Sequence, residues 1–222
     1  MLTPLSIGNP DAFHKPAPSG RLRRSQPGAD VILDAVKVYT RGGDGGETAL
    51  FGGRRVRKDS TRVAAYGEVD ELDAAVGVAR AELEDADLDE WLATVQSSLF
   101  DLGGELAIPD VETLEAKGKG VPRIVDGDVA AMEGWIDQLD GELEPLRNFV
   151  LPGGTRAAAA LHLARTVCRR AEREVVSLAR GEEVAPVLIR YLNRLSDLLF
   201  VMARTANHRA GVAEPTWAGR ER

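Results

Sequence analysis

Apolar residues recur along most of this chain with the 3.6-residue period of helices laid on a core, and the recurrence falls into five stretches. Val69, Leu72, Val76, Ala79 and Leu83 follow one another at steps of three and four, which predicts a first helix over about 61–84. After a short acidic turn, Leu88, Trp91, Leu92, Val95, Leu99, Leu102 and Leu106 share one face of a second helix near 88–106, weakened at its end by Gly103 and Gly104. Val129, Met132, Trp135, Ile136, Leu139 and Leu143 mark a third over about 126–143, with Asp126 as its N-cap and Pro145 beyond its end. Thr155 stands where it can cap a fourth, which carries Leu161, Ala164, Cys168, Ala171 and Val175 and runs to about Arg180, where Gly181 closes it. The fifth, about 185–209, sets Leu188, Tyr191, Leu192, Leu195, Leu198, Leu199 and Met202 toward the core. Five helices with mostly short connections predict an all-α, antiparallel bundle, and the lack of alternating strands or internal repeats disfavours a doubly wound α/β fold.

Between and before these stretches the period is lost. Residues 1–30, with Pro4, Pro10, Pro16, Pro18 and Pro27, read as a disordered extension to a domain spanning 31–210, and 211–222 read as a tail. A β-like opening, Val36 to Tyr39, leads into a glycine-dense loop from Thr40 to Thr48. The segment 107–125, with Pro109, Gly118, Gly120 and Pro122, reads as a surface loop. Phe149-Val-Leu-Pro-Gly-Gly154 is apolar but broken by Pro and Gly.

Composition removes several function classes. A hydrophobic content of 44% in 222 residues suits one packed domain. No run of about 18 apolar residues occurs and the first thirty residues hold no secretory signal, so the expectation is a cytoplasmic protein without a membrane span. A net charge of −7 argues against nucleic acid as a partner. Cys168 stands alone, so it has no internal disulfide partner and supplies no zinc or iron–sulfur site by itself. None of His14, His162 and His208 follows a Glu by three residues, as a di-iron bundle requires, and no Gly-x-Ser-x-Gly elbow is present.

Three clusters remain that could carry chemistry. Closely spaced glycines in the 40–48 loop let backbone amides converge on an anion, with Thr40, Arg41, Thr48 and Lys58 as added donors. The spacing matches neither a Walker A loop nor the dinucleotide fingerprint, and the same glycines also fit a plain turn. On the fourth helix, Arg165, Arg169 and Glu172 share one face, flanked by Arg170 and Arg173, beside the apolar stripe. Such arginines either pair with carboxylates or hold an anionic ligand. On the fifth, Asn193 and Asp197 lie four apart with Arg190 and Arg204 on the same side, a face suited to reading a nucleobase or ribose and equally to solvation. Asp70 and Glu71 stand ready to answer a helix-four arginine, or simply favour their helix dipole.

Taken in order, Tyr39-Thr-Arg-Gly-Gly-Asp-Gly-Gly-Glu-Thr48, Arg57-Lys-Asp59, Ala65-Tyr-Gly-Glu-Val-Asp-Glu-Leu72, Phe149-Val-Leu-Pro-Gly-Gly154, Cys168-Arg-Arg-Ala-Glu-Arg173 and Tyr191-Leu-Asn-Arg-Leu-Ser-Asp-Leu-Leu-Phe200 resemble the PduO-type ATP:cob(I)alamin adenosyltransferases over about 36–205. The resemblance implies a five-helix bundle with an N-terminal nucleotide-binding loop, assembled as a homotrimer with ATP between adjacent subunits and the corrinoid beside it. It implies ATP contacts at Thr40, Arg41, Gly42, Gly43, Thr48, Ala49, Lys58, Arg169, Arg170, Ala171, Glu172, Arg173 and Asn193, with Mg²⁺ carried by ATP rather than held by protein ligands. Phe149 resembles the aromatic wall beneath the cobalt, and Asp70 with Arg165 resembles an intersubunit salt bridge. Gly42 departs from the family, which usually has a polar residue there. The implied reaction is attack of Co(I) on the ribose C5′ of ATP with loss of triphosphate. Lys58 and Arg169 would stabilise the leaving group, and Phe149 would exclude the lower axial ligand. A reductase and an adenosylcobalamin-dependent enzyme are the implied partners. The competing readings are a non-catalytic corrinoid escort, an ATP-sensing regulator and a purely structural trimer.

Overall fold

The computed structural model describes residue 39, residues 41–109 and residues 123–217. The Pro-rich start, the opening at Val36 to Val38, Thr40, most of the 107–125 loop and the last five residues therefore lie outside the described residues. A small antiparallel hairpin, β1 (Glu47–Ala49) and β2 (Arg55–Arg57), precedes five helices: α1 (Thr61–Ala81), α2 (Ala86–Leu106), α3 (Asp126–Asp140), α4 (Arg156–Leu178) and α5 (Pro186–Arg209). The hairpin pairs Glu47 with Arg57, Thr48 with Val56 and Ala49 with Arg55. Strands of three residues are too short to show alternation, which is why the sequence pattern does not announce them.

The apolar stripes meet as expected. Helix α1 packs on α2 and α4, α4 on α5, and α5 on α3. Trp91 of α2 stacks on Trp135 of α3 with centroids 5.3 Å apart, which closes the five helices into a ring. The chain alternates up and down, but a ring with an odd number of members must place one like-directed pair side by side. That pair is α3 and α5: ion pairs join Asp126 to Arg190, Glu133 to Arg194 and Glu142 to Arg209 in parallel order. The interior is lined by the predicted leucines and by the small residues Ala65, Ala158, Ala164 and Ala171, all inaccessible to solvent, which let the helix backbones approach closely. Among the described residues no helix is long and apolar enough to cross a membrane.

Several predicted boundaries shift for local reasons. Asp85 caps α2, accepting from the Asp87 and Leu88 amides at 3.1 and 3.2 Å, so that helix starts before Leu88. Val125, rather than Asp126, occupies the N-cap of α3, and the Asp128 carboxylate accepts from the Val125 amide at 2.8 Å. Helix α3 stops at Asp140, short of Leu143. Thr155 does cap α4, its hydroxyl oxygen accepting from the Ala158 amide at 3.0 Å. Helix α4 ends at Leu178, and Gly181 closes it only by donating its amide hydrogen bond to the Leu178 carbonyl, without the left-handed turn a C-terminal glycine often supplies.

Two buried polar side chains tie the ends of the bundle. Arg62, 4% exposed, donates to Glu182 and to the Leu106 and Ile108 carbonyls, joining the start of α1 to the ends of α4 and α2. At the opposite end Asn207, fully buried, accepts from the Thr155 amide at 2.9 Å and donates to the Gly153 carbonyl at 3.0 Å. Gly154, at φ +103°, lies so close to that carboxamide that a Cβ would overlap it. We expect Gly154→Ala to lower stability by about 2 kcal/mol or more, because the backbone conformation and the space both exclude a side chain. Urea denaturation checks this; an unchanged midpoint would show that the turn relaxes.

Candidate functional site

Helix α4 carries four of the candidate arginines, and the structure divides them into two kinds. Arg170 turns to α1, where Glu68 and Glu71 both bind it. Its hydrogen bonds to those two carboxylates, Glu68 foremost, push its pKa above the usual guanidinium value. Arg165, Arg169 and Arg173, spaced one turn apart, have no carboxylate partner among the described residues. Arg173 donates to the Arg169 carbonyl at 2.9 Å. Arg165 lies over the Phe200 ring at 5.9 Å, with its Nε buried and unbonded. Burial first and the neighbouring Arg169 second lower the Arg165 pKa. Asp70 is exposed and makes no ion pair among the described residues. Ala171 is fully buried in the core, away from the arginine face.

Glu172 and Asn193 meet across α4 and α5, the Asn193 Nδ2 donating to Glu172 Oε1 at 3.1 Å. They sit in a groove of about 470 Å³ that α3 completes with Asp126, Val129, Ala130 and Glu133. Arg190 and Arg194 of α5 also line this groove, Arg194 pairing with Asp197 at 3.1 Å, whereas Arg204, expected beside Asn193, is buried and bound to Glu214.

The glycine loop is folded back on itself. The Asp44 amide donates to the Arg41 carbonyl and the Gly46 amide to the Gly43 carbonyl, so these two amides close turns rather than facing an anion. Arg55 donates to the Gly42 carbonyl at 2.8 Å and to Glu47 at 3.2 Å. Arg41, at φ +59°, holds a left-handed backbone that non-glycine residues seldom adopt. Lys58 arches over this loop: a Cβ on Gly43 would stand 3.0 Å from its Nζ. Glycine at 43 is what lets the ammonium lie against the loop, and Lys58 forms no ion pair among the described residues. Thr48 and Ala49 form the first strand beside it. None of the described interactions of Arg169, Arg173 or Asn193 reaches the loop.

Phe149 projects from the turn before α4 with 78% of its surface exposed. Trp217, outside the predicted site and in the tail, meets it edge-on at 6.3 Å. An isolated large aromatic in a polar tail was the only signal in the sequence. His162 is 2% exposed, tilts against Phe200 at 6.0 Å, and leaves both ring nitrogens unbonded. Burial chiefly, and Arg165 secondarily, depress its pKa. Cys168 donates to the Leu192 carbonyl, and burial pushes its pKa far up, so the thiol is unreactive. Among the described residues no group of three or more His, Cys, Asp or Glu is placed to hold a metal ion.

Comparison with known proteins gives this geometry a context. A family model described as cobalamin adenosyltransferase matches residues 38–206. The corrinoid adenosyltransferase of Bacillus subtilis is 45% identical over 183 residues, covering 81% of this chain and 91% of that protein. The cobalamin adenosyltransferase of Cupriavidus metallidurans is 44% identical over 182 residues, covering 82% and 94%. Among solved structures, a phenylalanine-to-alanine variant of the PduO-type ATP:corrinoid adenosyltransferase of Lactobacillus reuteri, complexed with cobalamin and ATP, superposes with a TM-score of 0.77 at 36% identity, covering 82% of this chain and all of that one. An arginine-to-lysine variant complexed with ATP gives 0.75 at 36% identity, covering 81% and 99%.

His162 gives the fold an acid sensitivity. Its pKa in the unfolded chain is near 6.5 and lower in the native state, so below that pH the unfolded chain takes up a proton that the native one refuses. Stability falls as pH drops from about 6.5 to the native value, by up to about 1.4 kcal/mol per pH unit, and the loss is complete below it. We expect His162→Leu to flatten this part of the stability profile, measured by urea denaturation between pH 7.5 and 5; an equal slope in both proteins would assign the effect to other groups.

Proposed function

This chain belongs to the cobalamin adenosyltransferase family, and from that premise we propose how its residues carry the 5′-deoxyadenosyl group of ATP to the Co(I) centre of a corrinoid. The new bond joins cobalt to C5′, the bond broken is C5′–O, and triphosphate departs with that electron pair. No proton need be moved to or from the reacting atoms, so the protein's contribution is alignment and charge. The observation that carries the assignment is the row of Arg165, Arg169 and Arg173, without carboxylate partners among the described residues, beside an Arg170 that has two. A helix able to neutralise one arginine twice and leaving its neighbours unpaired fits a face reserved for an anionic ligand.

In this reading Arg169, Arg173 and Lys58, with Thr40 to Gly43, Thr48 and Ala49, surround the triphosphate, and Mg²⁺ arrives with ATP. Glycine at position 42 contributes backbone only, and its carbonyl is already held by Arg55. Glu172 and Asn193 hold each other in a geometry suited to the hydroxyls of a ribose or the edge of a base. Phe149 stands beneath the corrinoid and shuts out water and the lower axial ligand.

Because none of the described interactions joins the loop to the arginine face, the proposal places the complete site between two copies of the chain in a homotrimer. Arg165, lying over the Phe200 ring, then meets Asp70 of a neighbouring copy, and neither has an ion-pair partner among the described residues. The cytoplasm, where ATP and electron donors are abundant, suits the reaction; a reductase supplying Co(I) and an enzyme using the product are the partners it calls for.

Lys58→Ala and Arg169→Ala are each expected to slow adenosylation at least tenfold, the loss of about 1.4 kcal/mol of transition-state stabilisation, in an anaerobic assay with ATP and Co(I) corrinoid. Wild-type turnover in either would remove that residue from the site. Asp70→Arg should yield a smaller species in sedimentation, and the swap Asp70→Arg with Arg165→Asp should restore the assembly; an unchanged particle in the single variant would rule out this contact.

A further inference from the structure

The tail beyond α5 returns to the segment that carries Phe149 and pairs with it as a short antiparallel ladder. The Leu151 amide donates to the Pro215 carbonyl at 2.7 Å, the Trp217 amide donates to the Phe149 carbonyl at 2.8 Å, and Val150 bridges Thr216 between them. One side chain fastens both strands of this ladder to the bundle. Arg204, 5% exposed, donates through Nε to both Glu214 oxygens, at 3.2 and 3.1 Å, and through Nη2 to the Glu144 carbonyl at 3.0 Å. The Asn207 carbonyl accepts from the Val212 amide at 2.9 Å, while its side chain grips Gly153 and Thr155. Tail and turn are thus anchored by the same two buried residues of α5, three positions apart.

The Phe149 ring itself is not buried. With 78% of its surface open, the ring contact that orients it is the edge of Trp217, 6.3 Å away at 65°. An exposed aromatic rotates among rotamers on a fast timescale unless something on its face or edge restrains it. A wall that must shut out the lower axial ligand has to stand in one place.

We propose that residues 214–217 form a strap, clipped by Arg204 and Glu214, in which Trp217 is the positioning residue for Phe149. Trp217 acts through Phe149 on the corrinoid face and leaves the ATP face of α4 untouched. The strap accounts for the otherwise unexplained burial of a charged pair, Arg204 with Glu214, at the end of a helix that is apolar along its inner face. It rests on the assignment of Phe149 made above.

The test uses the full chain and compares Trp217→Ala, Trp217→Phe, Glu214→Gln, Phe149→Ala and the Trp217→Ala, Phe149→Ala double variant. With ATP and Co(II) cobalamin, electron paramagnetic resonance reads the fraction of corrinoid lacking its lower axial ligand; turnover and calorimetric ATP affinity are measured alongside. Trp217→Ala is expected to lower both that fraction and kcat by about 2- to 12-fold, the range of one lost edge-to-face pair, with ATP affinity within twofold of wild type. Trp217→Phe should recover most of the signal, Glu214→Gln should fall between, and the double variant should be no worse than Phe149→Ala. If Phe149→Ala lowers the signal while Trp217→Ala and Glu214→Gln leave it at the wild-type level, the strap is overturned and the Phe149 assignment stands. If Phe149→Ala also leaves it unchanged, both fall. A Trp217→Ala chain that loses ATP affinity in step with kcat has a structural role only, which likewise overturns the proposal.

Discussion

Uncompensated positive charge along one face of α4 is the constraint from which the rest of the arrangement follows. Guanidiniums stacked one turn apart repel one another, and a helix bordering a low-dielectric core magnifies the repulsion. Arg165 shows the cost in its buried, unbonded Nε and lowered pKa. The fold tolerates this because α4 is held from both sides: its small inner residues seat it against α1 and α5, and Arg170 anchors it to Glu68 and Glu71. One arginine of this helix is tied to structure, while Arg165, Arg169 and Arg173 have no carboxylate partner among the described residues.

The far end of the bundle solves a different problem, how to hold an exposed ring without burying it. Asn207 and Arg204 lie on the inner face of α5, where apolar residues would otherwise continue the stripe, and each uses all its reach on backbone or tail. Gly154 makes the approach to Asn207 possible, and the Thr155 cap starts α4 immediately afterwards. The orientation of Phe149 and the start of the arginine helix are therefore set by the same few hydrogen bonds. Asn207 holds the Thr155 amide and the Thr155 hydroxyl caps the first turn of α4, so the turn that carries Phe149 and the start of α4 share these hydrogen bonds.

Most of the bundle could be read directly from the chain, because period 3.6 and helix burial are the same physical fact, and the stripe residues of α4 and α5 are buried where they were expected. Less legible were features that depend on a partner far along the chain. The hairpin at 47–57 has strands too short for a period. The parallel contact of α3 and α5 follows from closing a five-membered ring, not from any local pattern. The arginines of α4 were visible as a group, but only the fold separates Arg170, which has its carboxylates, from Arg165, Arg169 and Arg173, which do not. Arg204 shows the converse: helical spacing put it on the Asn193 side, yet three turns of rise and a carboxylate in the tail draw it inward. Lys58 is legible as a donor, whereas its seat over Gly43 is not.

The chemistry explains why so little of the site resembles a conventional acid–base centre. Histidine is the side chain whose ordinary pKa suits proton transfer near neutrality, yet His162 is buried with its charge disfavoured and Cys168 is locked as a thiol. Where a bond breaks by departure of an already anionic triphosphate, a proton donor offers less than fixed positive charge that needs no reorganisation as the bond lengthens. Arginine keeps its charge through any physiological pH and holds a planar fork toward phosphate oxygens. The same permanence makes an arginine face costly when empty, and the cost falls once an anion or a neighbouring carboxylate arrives. On the reading proposed above, a second copy and a polyphosphate would each lower the electrostatic penalty that the other meets at this cationic helix.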